Sequence, residues 1–114
     1  MPERIRVAVV GVGHFGRLHA KKYAALEGVD LVAVVDQDLT RGKEVAAAFG
    51  CQALSDHQDL TGRVDAASLT VPTSLHHQVG RELLELGIHL LVEKPITETV
   101  DSANALIATA RARG

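Results

Sequence analysis

A chain of 114 residues and 12.1 kDa has room for one domain, and it is long enough to bury a core without disulfides or metals. Its composition, 46% hydrophobic and 23% charged, is that of a globular protein. A net charge of -2, with the basic residues scattered, argues against nucleic acid or an anionic membrane as partner.

The elements alternate from the start. Ile5–Val10 (IRVAVV) reads as a strand, followed by a glycine turn and a helix through Leu18, Tyr23 and Leu26. Leu31–Val35 is a second strand, Thr40–Phe49 a helix stopped by Gly50, and Cys51–Leu54 a weak edge strand. After a short helix come a strand at Ala66–Val71 and a helix with Leu75, Val79, Leu83 and Leu86 on one face. Gly87 ends that helix, Ile88–Val92 is the fifth strand, and Val100, Ala103, Ile107 and Ala110 mark the last helix, capped by Thr97 or Asp101. Short, nearly continuous apolar runs suit strands covered on both faces, so the expected fold is α/β, a doubly wound parallel sheet of the Rossmann type forming a single domain over residues 1–114.

Gly11-Val12-Gly13-His14-Phe15-Gly16 has the G-x-G-x-x-G spacing and lies directly between strand and helix. In that setting each glycine has a task. Gly11 permits the turn, Gly13 lets a pyrophosphate approach the backbone, and Gly16 lets helix pack on strand, while the helix start offers N–H groups to phosphate. The side chain of His14 is placed to cover a phosphate or to face solvent, and Phe15 shares the turn. Asp36 ends the second strand about 20 residues later, where an acid receives the adenosine-ribose hydroxyls. A 2′-phosphate there would put like charges ~4–5 Å apart, worth on the order of 3 kcal/mol per charge at an effective dielectric near 20. NAD is therefore expected over NADP. Arg41 is a nearby cation, but it has to fold back to favour NADP.

No metal site is expected. His76 and His77 are neighbours about 100° apart on a helix, too divergent to share an ion, and the single cysteine, Cys51, excludes a multi-cysteine site and an intrachain disulfide. Cys51 is expected to be a buried or half-buried, unreactive thiol and Tyr23 a packing residue, with no role for His57 or His89. The start shows no signal-peptide pattern, and a cytoplasmic location is expected.

Leu91-Val92-Glu93-Lys94-Pro95, preceded by Thr70-Val71-Pro72-Thr73-Ser74-Leu75-His76 and by the glycine turn, resembles the Gfo/Idh/MocA oxidoreductases over nearly the whole chain. The stretch from Val71 through Glu98 is similar to members acting on nucleotide-linked amino sugars, UDP-N-acetylglucosamine 3-dehydrogenases among them. The resemblance implies that Gly11, Gly13 and Gly16 hold the pyrophosphate and Asp36 the ribose, and that Thr70, Pro72 and His76 line the cofactor channel. It places Glu93 and Lys94 beside the nicotinamide as the catalytic residues, with Lys94 also reaching a sugar-type substrate and Pro95 fixing the turn. It implies further that substrate is bound by a C-terminal, largely antiparallel domain that this chain lacks, so the chain alone is expected to be catalytically incomplete and either to self-associate or to be less stable in isolation. The alternative is a non-catalytic module that senses NAD(H), which needs the glycine turn and Asp36 but not Lys94. A third reading, a two-domain dehydrogenase of amino-acid metabolism, fits the first fifty residues but not Glu93-Lys94-Pro95.

Overall fold

The computed structural model describes residues 4–92 and 100–113. Five strands, β1 (Ile5–Val10), β2 (Val29–Val35), β3 (Gln52–Leu54), β4 (Ala66–Leu69) and β5 (His89–Val92), form one sheet in the order β3-β2-β1-β4-β5. Every pairing is parallel. Helices α1 (His14–Ala25), α2 (Leu39–Phe49), α3 (His76–Glu85) and α4 (Val100–Arg113) join and flank the strands. The chain order turns back between β3 and β4, so β1 and β4 lie side by side at the topological switch point.

Alternation along the strands builds two cores. Ala8, Val10, Ala33, Val35, Ala67 and Leu69 face one way and pack with Leu60, Val64, Leu83 and Ile88. Val9 and Val34 face the other way, against Val12 and Ala20 near and on α1 and Val45 and Ala46 on α2. A side chain that is buried on either face must be apolar in both phases, which is why these strands carry no polar alternation. Gly80 lets α3 close on its neighbours: a Cβ there would lie 3.1 Å from Leu106 Cδ1 of α4 and 3.2 Å from Leu69 Cδ2 of β4.

The structure shifts several expected boundaries. β2 begins at Val29 rather than Leu31, because register with β1 pairs Arg6 with Asp30 and the exposed Asp30 is held by Arg4 Nε at 2.6 Å. β4 ends at Leu69 rather than Val71; Thr70 N still donates to Val10 O (2.8 Å), but the chain then turns through Pro72. Leu75 belongs to a 3₁₀ turn, Thr73–Leu75, and not to α3, since Pro72 starts that turn and accepts from Leu75 N at 2.8 Å. Another 3₁₀ turn, His57–Leu60, is the short helix expected after β3. Gly50 (φ 70°) caps α2 in the left-handed region, and Gly87 (φ 82°) follows α3 as expected. Asp38, not singled out from the sequence, caps the start of α2 by accepting from Arg41 N at 3.2 Å. Thr97 lies outside the described residues, and Asp101 falls within α4 rather than before it.

Candidate dinucleotide-binding site

Sheet bonding continues one residue past three strand ends. Gly11 N donates to Val35 O (2.7 Å), Asp36 N to Leu54 O (3.0 Å) and Thr70 N to Val10 O (2.8 Å). These bonds bring Gly11, Asp36 and Thr70 to the carboxyl edge of the sheet, beside the switch point, where open α/β sheets bind their ligands.

The three glycines of the turn differ physically. Gly11 has φ 92°, and a Cβ there would meet Val71 N at 2.7 Å, so only glycine lets β1 turn this close to the end of β4. At Gly16 a Cβ would overlap the carbonyl of Gly11 and approach Thr70 Oγ1 at 2.9 Å; its absence lets α1 start directly on the turn. At Gly13 a Cβ would meet nothing within 4 Å. Gly13 lines the cleft, and with φ -67° neither its backbone nor its packing requires a glycine. Gly13 is also the N-cap of α1, with no side chain capping the helix and no acidic residue in its first turn. The N–H groups of that turn are thus offered towards an anion.

Thr70 supports the turn from β4. Its hydroxyl lies 2.5 Å from Gly11 O and 3.1 Å from Val10 O, and its one proton is shared between them. Thr70 lines the cleft, but its hydrogen-bond donor is used in holding the turn. His76 is likewise tied down: it is 3% exposed, with Nε2 3.0 Å from Val71 O, so it reaches the cleft as a buried brace rather than as an open ligand. Pro72 lines the same cleft, as do the exposed rings of His14 and Phe15, which meet edge to face at 5.3 Å. The cleft, about 1080 Å³, runs from this turn past Asp36, Gln37 and Asp38 to Ser55, His57 and Val79.

Asp36 is 6% exposed and fully engaged. Its Oδ2 accepts from Val12 N (3.0 Å) and its Oδ1 from Asp38 N (2.9 Å), which locks the end of β2 to the glycine turn and to the start of α2. Arg41 does fold back. Its Nε lies 3.0 Å from Oδ2 and its Nη2 3.1 Å from Oδ1. The bare acid expected from the sequence is therefore a paired one, and an estimate of repulsion that treats Asp36 alone overstates it. Gly42, one residue on, brings α2 against this corner, its Cβ position 3.7 Å from Asp36 Cβ.

Two polar groupings were not foreseen. Ser68, fully buried on β4, lies 2.6 Å from Tyr23 Oη and 2.9 Å from His19 Nδ1, both on α1, so Tyr23 packs and also bonds. His57 Nε2 meets Glu82 Oε2 at 2.6 Å, joining the cleft's far wall to α3. Neither has a sequence signature, because each pairs residues at least 25 positions apart. Cys51 is half-buried, and burial raises its thiol pKa above the ordinary value. Among the described residues no group of three or more His, Cys, Asp or Glu could hold a metal ion. No helix among them is long and apolar enough to cross a membrane. Glu93, Lys94 and Pro95 lie outside the described residues.

A parallel sheet in this strand order, with a glycine turn, an uncapped helix start and an acid at the end of β2, defines a pyridine-nucleotide-binding Rossmann domain. Residues 5–114 match the model of the Gfo/Idh/MocA oxidoreductases, described as an oxidoreductase family with an NAD-binding Rossmann fold, and the chain belongs to that family. It is 43% identical over 109 residues to the UDP-N-acetylglucosamine 3-dehydrogenase of Acidithiobacillus ferrooxidans, covering 96% of this chain and 34% of that protein. The solved structure of that enzyme superposes with a TM-score of 0.92, over 96% of this chain and 36% of the other. GenD2 from gentamicin A biosynthesis, in complex with NAD, is 33% identical with a TM-score of 0.94, over 98% of this chain and 33% of that one. KijD10, a 3-ketoreductase from Actinomadura kijaniata in complex with TDP-benzene and NADP, is 29% identical with a TM-score of 0.89, over 97% of this chain and 36% of that one. The chain thus spans about a third of the length of the relatives it matches.

Proposed function

We propose that residues 1–114 form the cofactor domain of an NAD-dependent dehydrogenase that moves hydride between nicotinamide and a secondary alcohol of a sugar, nucleotide sugar or polyol. The observation that carries the cofactor assignment is Gly13, where the fold leaves room that no side chain of the protein fills, at the uncapped start of α1. Gly11 and Gly16 build the turn, Gly13 and the first N–H groups of α1 receive the pyrophosphate, and Asp36 receives the ribose. The bound nicotinamide supplies the hydride chemistry; the protein supplies orientation and proton handling. Glu93 and Lys94 are proposed for the reacting end on the family resemblance, Lys94 to polarise the substrate oxygen. The substrate class rests on relatives that act on nucleotide sugars. A cytoplasmic location, and self-association or reduced stability of the isolated chain, are part of the same proposal.

Calorimetric titration of the purified chain with NADH, and separately with NADPH, tests it. NADH is expected to bind more tightly than NADPH. A folded chain that binds neither overturns the assignment. Substitution of Lys94 by alanine in a longer, active protein separates enzyme from sensor: the dehydrogenase reading expects turnover to be lost with NADH binding kept. Sedimentation velocity with thermal melts tests this last part, which a sharply monomeric and highly stable chain would refute.

A further inference from the structure

We propose that Ser68, through Tyr23 and His19, is a positioning residue that sets where α1 lies on the sheet, and so where its first N–H groups meet the pyrophosphate. This rests on the cofactor-domain reading above. α1 has little else to fix its register. Its fully buried residues are Gly16 and Ala20, while the large apolar side chains of Phe15 and Leu18 are exposed. Small residues let a helix sit close on a sheet but leave no interlocking side chain to stop it sliding or turning. The large ring that does turn inward, Tyr23, packs against the core of that face and ends on Ser68 Oγ at 2.6 Å. One turn earlier, His19 Nδ1 meets the same oxygen at 2.9 Å.

Ser68 lies fully buried between Ala67 and Leu69, paired with Val9 of β1, on a face otherwise built from Val9, Val12, Ala20 and Val34. A hydroxyl buried there costs free energy unless it is bonded. It can give one hydrogen bond and receive two, so it joins both partners whichever of them donates. Thr70, two residues on and therefore on the same face, holds the carbonyls of Val10 and Gly11. The β4 segment thus grips the turn through Thr70 and the helix behind it through Ser68. The Ser68 contacts fall roughly 8 and 14 Å along the helix axis from His14. Without them α1 pivots where Gly16 touches the turn, and its start swings. Hydrogen bonds to phosphate tolerate a shift of no more than about 0.5 Å.

The test is titration of the intact chain, Ser68→Ala, Tyr23→Phe and the double variant with NADH and with adenosine, which lacks the pyrophosphate. Thermal melts establish which variants are folded. Each single substitution should weaken NADH at least about threefold and adenosine less. The double variant separates positioning from stability. Removing Tyr23 Oη from a chain already without its partner relieves an unmet polar group, so the melting temperature should hold or rise relative to Ser68→Ala. NADH affinity should nonetheless stay low, which a merely structural residue would not produce. A smaller loss of NADH affinity in a folded single variant, an equal loss for adenosine, or NADH affinity restored in the double variant overturns the inference. Tyr23→Phe keeps the ring and carries the test alone should Ser68→Ala not fold. Failure of the intact chain to bind NADH overturns the cofactor-domain reading instead, so the two failures are distinguishable.

Discussion

Glycines that look alike in a motif do unlike work in the fold. Gly16→Ala would force a Cβ into the carbonyl of Gly11, and the expected cost is about 1–3 kcal/mol of stability, visible as a lowered melting temperature. Gly13→Ala meets open space, so stability should change by no more than about 1 kcal/mol while NADH affinity falls at least tenfold. A Gly13 variant that binds NADH normally would contradict the placing of the pyrophosphate. The thiol of Cys51, pushed up by burial, should alkylate slowly in the folded chain at neutral pH and quickly once unfolded, as a timed iodoacetamide reaction would show.

Between elements, polar contacts hold the sheet at both its ends. At the lower end Arg6 of β1 pairs with Asp65 just before β4: Asp65 Oδ2 accepts from Arg6 N at 2.9 Å and Oδ1 from Arg6 Nη2 at 3.0 Å. The side-chain hydrogen bond from Arg6 is the main cause holding the Asp65 carboxyl below its ordinary 3.8. A carboxyl lowered in the folded state stabilises above its unfolded pKa, and that stability is lost as pH falls through the folded one. The stability gap between the native chain and Asp65→Asn should therefore be constant near neutrality and close as pH drops below about 4; denaturant melts across that range measure it. Because the pair is exposed, the gap should be small and should shrink further with salt. Across the upper face, Ser68 binds β4 to α1, the helix whose start faces the cleft. Tyr23→Phe removes one of its two bonds and should cost about 1 kcal/mol in a chemical melt.

For the molecule as a whole, the cleft at the carboxyl edge and the strand order are one fact: chain reversal between β3 and β4 parts the two halves at the place where Gly11, Asp36 and Thr70 converge. A second groove, about 790 Å³, lies beside β5 between Ile88, Val92, Leu106 and Ile107, far from the glycine turn in the sheet order. Binding at the cleft is expected to stabilise the whole domain, since a ligand that binds only the folded state at 100 times its Kd adds about 2.7 kcal/mol. A melting temperature unmoved by saturating NADH would contradict a site built from β1, β2 and β4 together.

Much of this protein was legible in the sequence because the signals are local. Apolar runs of strand length, helices stopped at Gly50 and Gly87, and a glycine turn set between strand and helix all report the conformation of the residues that carry them. They were enough for the parallel sheet, its alternation with helices, and the positions of Gly11, Gly13 and Asp36 in one cleft, while the family was read from Thr70–His76 and Leu91–Pro95 together with the glycine turn. What tertiary structure alone decided is who meets whom across the sheet. His76 is a buried brace on Val71, Ser68 is bound from α1, His57 pairs with Glu82, and Arg41 turns back over Asp36. A side chain's partners depend on where packing leaves space and an unmet donor, and spacing along the chain does not record that. The pairing of Asp36 with Arg41 is thus a property of the folded corner between β2 and α2, not of the motif that announced the acid.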